Sequence, residues 1–476
     1  RRRHALCHAR DCKDGFKQLV CRDGEMIAAR IRQLLPSSTG LTLARVAGSA
    51  AAFFTQFLLA RFMEPGQLGV FYIVTSMAII LGTVAALGYP GIANRLVVRY
   101  AARGKTATRA LFIRTARRDA LVVSGCIAIT IVAAAAICSL SSMASLWPAA
   151  IAALAIPAFA MLRVNGGLAN ALHRFALSFL PDNLVRPTLL LLTLACLAGV
   201  TGSLGLIPVL VTFSAITIVV AAMQAWFTGA SGRDRDRQAT ANRREIRMWR
   251  LSGLSLVAPL LITALFADVV IMLSSTALPV QQIAVLGLCV KIAFLFGFFI
   301  QIVHQVATPR IAHALESGNS EDLRPVVTAS NVIAVSAMCI AVALVSLFGE
   351  RLLSVFGPQF SAGTSVLLIL TCAQLARALA GPAMPLLIAS GRHAGSLPVV
   401  SGSLAAFVIM LFLLVPSMGV TGASLAVLVA TAISGVGLAL VVRREFGVSC
   451  DAVSSALART ASSDLPERRA LQRTVS

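Results

Sequence analysis

The chain has 476 residues, of which 58% are hydrophobic and 13% charged, whereas a soluble domain is about 45–50% apolar and about 25% charged. The apolar residues gather in runs of about 18 or more, which excludes a soluble globular domain and predicts an all-α polytopic membrane protein. The net charge of +22 is the excess of 41 Lys and Arg over 19 Asp and Glu. The Lys and Arg residues fall almost entirely on one side of the predicted spans. This is the positive-inside pattern, so we expect no nucleic-acid partner.

The first 40 residues form a basic tail. From Met26 onward, Ile27, Ile31, Leu34 and Leu35 fall on one helical face, which predicts a short interfacial amphipathic helix. We expect Met26 to be the biological start. The Cys and His residues before it match no zinc-ligand spacing, and we predict no metal site.

Beyond the tail, the hydropathy pattern predicts about twelve membrane-spanning helices. They cover residues 41–62, 69–89, 119–140, 146–163, 184–202, 205–228, 251–275, 281–305, 326–348, 361–389, 397–415 and 419–442. An even number of spans places both termini on the same side, and the arginines place that side in the cytoplasm.

The spans divide into two sets of six. We predict a basic tail with an interfacial helix (1–40), a six-helix bundle (41–228), a basic cytoplasmic linker (229–250), a second six-helix bundle (251–442) and a polar C-terminal tail (443–476). Six spans plus six in the same orientation indicate a parallel repeat, and such halves commonly enclose a central cavity.

Three cations inside the predicted spans are substrate-binding candidates: Arg45, Lys291 and Arg377. A central Arg or Lys in hydrocarbon costs about 2.5–3.5 kcal/mol on insertion scales, so such residues usually face a cavity or a partner. Arg45 lies only one turn from the end of its span, and snorkelling is an equal alternative. A cavity with several cations suits an anion, and a phosphate or pyrophosphate matches Arg and Lys well.

Two further residues, Asp268 and His304, are candidates for a coupling ion or a counter-charge. For Asp268, an ion pair with Lys291 or Arg377 is as good an interpretation as a coupling role. His304 is more often a structural hydrogen-bonding residue than a proton carrier. The terminal positions of Arg61 and Arg163 favour snorkelling to the interface.

The sequence offers no catalytic constellation. No GxxxxGK[ST] loop is present, which argues against direct use of ATP, and the short outer loops carry no paired carboxylates or His cluster. We therefore predict a protein that is not an enzyme and needs no cofactor.

Three stretches resemble a known family. They are LLARFMEPGQLGVFYIVTSMAIILGTVAALGYPGIANRLV in the first hairpin, PDNLVRPTLLLL at residues 181–192, and RALAGPAMPLLIASGRHAG at residues 377–395. They resemble the O-antigen-type polysaccharide flippases of the multidrug/oligosaccharidyl-lipid/polysaccharide exporter superfamily, over roughly residues 40–445.

The resemblance implies a V-shaped transporter of two bundles in the bacterial inner membrane. It implies a polyprenyl-pyrophosphate-linked oligosaccharide as substrate, with H+ or Na+ coupling, surrounding membrane lipids and other glycan-assembly proteins as partners. Three alternatives stay open at this point: an ion-coupled multidrug or metabolite antiporter of the same superfamily, a membrane glycan polymerase, and a scaffold for glycan synthesis.

Overall fold

A computed structural model of the chain describes residues 37–140, 146–230, 243–257, 265–316, 320–389, 393–446 and 450–451. Within these ranges the regular structure is helical and contains no strand, which confirms the all-α polytopic class. The interfacial helix predicted after Met26, the middle of the basic linker and most of the C-terminal tail lie outside the described residues.

The helices of the first half are α1 (Ser37–Phe62), α2 (Pro65–Ala85), α3 (Tyr89–Ala102), α4 (Thr106–Leu140), α5 (Trp147–Ala153), α6 (Ile156–Ala171), α7 (Phe175–Leu180), α8 (Arg186–Thr201) and α9 (Leu206–Ala230). A π-helical turn, Pro181–Val185, joins α7 to α8. Helix α6 packs against α2, α3, α4 and α9, while α1 packs against α8.

The helices of the second half are α10 (Arg243–Leu254), α11 (Phe266–Ser274), α12 (Val280–Glu316), α13 (Ser320–Phe356), α14 (Thr364–Leu379), α15 (Ala383–Ala389) and α16 (Leu397–Phe446). A break at Gly419, where φ is 55°, divides α16 into two straight pieces. Helix α14 packs between α13 and α16.

Ten helical segments of the described chain are long and apolar enough to cross a membrane. The last of them holds the predicted eleventh and twelfth spans, which lie on either side of the kink at Gly419. The predicted seventh span includes residues 258–264, which lie outside the described residues.

Several helices run beyond the predicted span limits. Helix α6 continues to Ala171, so Arg163 lies inside a helix and not at the end of a span. Helix α4 already begins at Thr106. Hydropathy reports only the apolar part of each helix, whereas α4 also includes the basic residues before its apolar run and α6 also includes the segment VNGGLANA after Arg163.

One side of the molecule, called here the basic side, carries Arg95 to Arg118 and α10. At the opposite side the two halves touch closely. A Cβ on Gly69 of α2 would lie 2.0 Å from the backbone oxygen of Val280 on α12, and one on Gly287 would lie 2.4 Å from the Tyr72 ring. The Phe356 ring meets Phe53 and Phe57 edge-on. The halves are therefore closed against each other at this side.

Gly69 provides a test of this close packing. We expect Gly69→Ala to lower stability by about 1–3 kcal/mol, the usual cost of overpacking, because the obstructing atom belongs to the backbone. Thermal unfolding of the purified protein measures the loss. Gly199→Ala on α8 is the matched control, since its Cβ would meet nothing within 4 Å and alanine favours a helix. Equal melting temperatures for the two variants would contradict the close contact.

Candidate functional site

A cavity of about 460 Å³ lies between the two halves. Helices α1 and α2, the π-helical turn and α8 form its wall in the first half, and α12 forms its wall in the second. Its polar lining consists of Arg45, Ser49, Thr55, Gln56, Tyr72, Thr75, Asp182, Asn183, Arg186, Lys291 and Gln301. Gln301 is exposed, and the opposite side is closed, so the cavity opens towards the basic side.

Arg45 stands at the end of the cavity nearest the basic side. Its guanidinium carbon lies 4.4 Å from the centre of the Phe179 ring, a cation–π contact that holds the side chain in place. Its Nε is buried without a hydrogen-bond partner. Among the described residues Arg45 has no acidic partner, so its charge is available to an anion.

The π-helical turn brings a carboxylate to the same end of the cavity. Asp182 receives a hydrogen bond from Nε of Arg186 at 2.9 Å and forms an ion pair with Arg163 at 3.7 Å. The turn can approach α1 because Gly48 has no side chain; a Cβ there would lie 1.8 Å from the backbone oxygen of Asn183. A π-helical turn inside a helix is often found at a functional site.

Lys291 faces the cavity farther from the basic side. Its Nζ donates to Oδ1 of Asp268 at 3.0 Å, and Oγ of Ser76 donates to the same oxygen at 3.1 Å. Asp268 lies on α11 and Ser76 on α2, so this carboxylate joins the second half to the first. Asp268 is thus the counter-charge of Lys291 in this structure.

This ion pair can be tested through stability. We expect Asp268→Asn to lower the free energy of unfolding by about 3 kcal/mol, the lower end of the range for a broken buried pair, because it leaves the lysine without its counter-charge. Lys291 keeps some contact with water, with 28% of its side chain exposed, which limits the loss. The control is the double variant D268N/K291M, which should regain part of the loss. A double variant no more stable than the single one would contradict the pairing.

The charges at the cavity do not balance. Four cations (Arg45, Arg163, Arg186 and Lys291) face two carboxylates (Asp182 and Asp268), so two positive charges remain in excess among the described residues. In a space of low dielectric such an excess attracts an anion strongly.

Neutral hydrogen-bonding groups line the cavity beyond the cations. The Tyr72 hydroxyl donates to Oε1 of Gln56 at 2.8 Å, and the Thr75 hydroxyl donates to the backbone oxygen of Phe71. These amide and hydroxyl groups lie beside the aromatic ring of Phe213. The closed end of the cavity is therefore polar and uncharged, apart from the paired Lys291.

The structure places the five residues predicted from the sequence in two locations. Arg45 and Lys291 line the cavity, and Asp268 pairs with Lys291. Arg377 on α14 and His304 on α12 do not line the cavity. They lie within electrostatic reach of each other, and Nε2 of His304 is buried without a hydrogen-bond partner.

The sequence reasoning missed Asp182 as a cavity residue and counted Arg186 only as a loop cation. The signal was present in the heptapeptide PDNLVRP, where an acid and a base stand four residues apart between two prolines. Arg163 was interpreted as snorkelling, because its span was predicted to end there. The longer α6 instead brings Arg163 to Asp182. The described residues hold no group of three or more His, Cys, Asp or Glu suited to a metal ion.

Two helical bundles around a charged cavity define the class of this protein as a multi-pass α-helical membrane protein. Its fold is that of solved MOP-superfamily transporters. An inward-facing multidrug resistance MATE family transporter superposes with a TM-score of 0.66 at 15% identity, covering 84% of this chain and 97% of that chain. The lipid II flippase MurJ, in an inward closed conformation, gives 0.67 at 13% identity, covering 85% and 88%.

The outward-facing conformation of a multidrug resistance MATE family transporter matches with a TM-score of 0.57 at 16% identity, covering 86% of this chain and 98% of that chain. No protein-family model and no curated protein sequence matches the chain.

Proposed function

We propose that the protein is a transporter that moves a polyprenyl-pyrophosphate-linked oligosaccharide across a membrane by alternating access. The observation that carries this proposal is the excess of two positive charges in a cavity between two helical bundles. The fold shared with the lipid II flippase MurJ supports a lipid-linked substrate.

A pyrophosphate fits the chemistry of the open end of the cavity. Arg45 has no acidic partner among the residues that the structure describes, and Arg186 shares its carboxylate with Arg163, so guanidinium groups can form bidentate hydrogen bonds with phosphate oxygens. The two excess charges match the charge of a pyrophosphate that links a lipid to a sugar. The neutral groups Gln56 and Tyr72 then offer partners for sugar hydroxyls, while the lipid tail stays in the bilayer.

Alternating access requires two bodies that move. We propose that residues 41–228 and 251–442 form them, with 229–250 as the connection. In the other state, the contact of Gly69 and Gly287 with α12 and α2 opens and the basic side closes. The Asp268–Ser76 hydrogen bond crosses between the two bodies and has to break or adapt in this movement.

The finer assignment follows from the sequence resemblance. We propose an O-antigen-type flippase in a bacterial inner membrane with both termini in the cytoplasm, so that the basic side faces the cytoplasm. Coupling to H+ or Na+ and contact with other glycan-assembly proteins belong to this proposal. Arg377 and His304 remain candidates for a role outside the cavity.

The second candidate is a multidrug antiporter, favoured by the fold shared with MATE family transporters. A cavity for cationic drugs needs an excess of acids, whereas this one has an excess of cations. We expect cells that produce the protein to accumulate a cationic dye such as ethidium as control cells do. We also expect deletion of the gene to reduce surface glycan. Dye export together with normal surface glycan in the deletion strain would favour the antiporter.

A further inference from the structure

Helix α10 presents two different faces. One face is docked: Trp249 is buried, meets Phe112 edge-on with ring centres 5.3 Å apart, and donates from Nε1 to the Tyr100 hydroxyl at 3.0 Å. At the end of the helix, a Cβ on Gly88 would lie 1.9 Å from the backbone oxygen of Gly253. Contacts of this kind hold α10 rigidly against α3 and α4.

A charged network fixes the same face. Arg250 donates two hydrogen bonds to the carboxylate of Asp119, at 2.7 and 2.8 Å, and the Tyr89 hydroxyl donates to it at 2.7 Å. The carboxylate raises the pKa of Arg250 above its usual value, and an arginine side chain is in any case charged throughout the physiological range. Helix α10 is therefore a fixed part of the basic side.

The other face of α10 carries exposed side chains of mixed character. Arg243 and Arg247 are exposed. After them in the chain, Met248, Leu251 and Leu254 are 53%, 58% and 56% exposed. The arginines therefore stand nearer the start of the helix and the apolar residues nearer its end, with Leu254 about 16 Å from Arg243 along the axis.

This order matches a bilayer surface. The predicted seventh span begins at residue 251, so we infer that the end of α10 lies at the hydrocarbon and its start at the headgroups. Helix α3, which packs against α10, also exposes Arg95 and Arg99. Arginines interleaved with exposed apolar side chains are typical of helices that bind anionic lipids.

We propose that the exposed face of α10, together with Arg95 and Arg99 of α3, binds the headgroups of anionic phospholipids. An acidic protein would also match the charge. A lipid matches in addition the apolar residues at the membrane end of the helix. This site is separate from the cavity, and its occupancy does not depend on the transported substrate.

Native mass spectrometry of the purified full-length protein tests the proposal, with phosphatidylglycerol as the probe and phosphatidylcholine as the neutral reference. We expect the wild type to retain phosphatidylglycerol in preference to phosphatidylcholine. In R243Q/R247Q the affinity should fall about thirtyfold. The charge-preserving R243K/R247K should retain the lipid, and thermal unfolding verifies that each variant is folded.

Two further variants distinguish this site from others. R351Q removes an exposed arginine on the opposite side and should retain the lipid. R45A alters the cavity and should also retain it, so a failure of the transport proposal leaves this test intact. The proposal would be overturned if R243Q/R247Q retained phosphatidylglycerol as the wild type does, or if R45A lost the lipid instead. Displacement of the lipid by inorganic phosphate alone, or capture of an acidic protein in place of lipid, would also overturn it.

Discussion

Replacing Arg45 with Ala is expected to reduce transport between about 10- and 100-fold while the protein stays folded. A hydrogen bond to a charged group contributes about 1.5–3 kcal/mol, and each 1.4 kcal/mol corresponds to a factor of ten. Arg45 has no acidic partner among the described residues, so the change leaves no carboxylate unpaired. Among the described residues, the change removes the cation–π contact with the Phe179 ring, which is worth about 0.5–2 kcal/mol depending on its exposure to water.

The measurement is the amount of surface glycan in a deletion strain that carries each variant at equal membrane abundance. Arg61→Ala is the matched control, because Arg61 is an exposed arginine on the same helix that does not line the cavity. Arg45→Lys should recover part of the activity, since lysine keeps the charge but lacks the bidentate fork. Full glycan in the Arg45→Ala strain would argue against substrate contact at this residue.

The second large effect is expected at Asp182. Its carboxylate forms ion pairs with Arg186 and Arg163, and a phosphate would compete with it for these two guanidinium groups. We expect Asp182→Asn to lower stability by about 3 kcal/mol, because two partly buried guanidinium groups lose their counter-charge. The same change should strengthen pyrophosphate binding and slow its release, so transport falls while affinity rises.

Thermal unfolding with and without inorganic pyrophosphate separates these effects. The stabilisation by pyrophosphate should be larger in Asp182→Asn than in the wild type, and smaller in Arg45→Ala. Asp119→Asn is the matched control, because it removes a carboxylate bonded to Arg250, away from the cavity. Asp119→Asn should lower stability, and its stabilisation by pyrophosphate should equal that of the wild type. An equal response in both Asn variants would show that the binding site lies elsewhere.

The helical class was predictable because hydropathy reports directly which segments are apolar enough to enter a bilayer. The limits of α4 and α6 were not predictable from hydropathy, since α4 includes a basic segment before its apolar run and α6 includes the segment VNGGLANA after Arg163. Arg163 shows the consequence: it was interpreted as a snorkelling residue at a span end, yet it lies inside α6 beside Asp182.

The cavity was predictable only in part. Arg45 and Lys291 stand out in the sequence because an isolated cation in an apolar run requires an explanation. The rotation of each helix and its packing decide which cations share one cavity. Arg377 is placed near the middle of its span, yet it does not line the cavity. The pairing of Asp182 with Arg186 depends on a π-helical turn that sequence periodicity does not show.

Translocation measured in proteoliposomes tests the central claim most directly. The substrates are a polyprenyl-pyrophosphate-linked fluorescent sugar and the same sugar on an uncharged polyprenyl lipid. We predict that the purified protein moves the pyrophosphate-linked compound across the bilayer, that the uncharged compound stays in its original leaflet, and that Arg45→Ala slows the movement about 10- to 100-fold. Equal translocation of both compounds, or an unchanged rate in Arg45→Ala, would contradict a cationic cavity that recognises pyrophosphate.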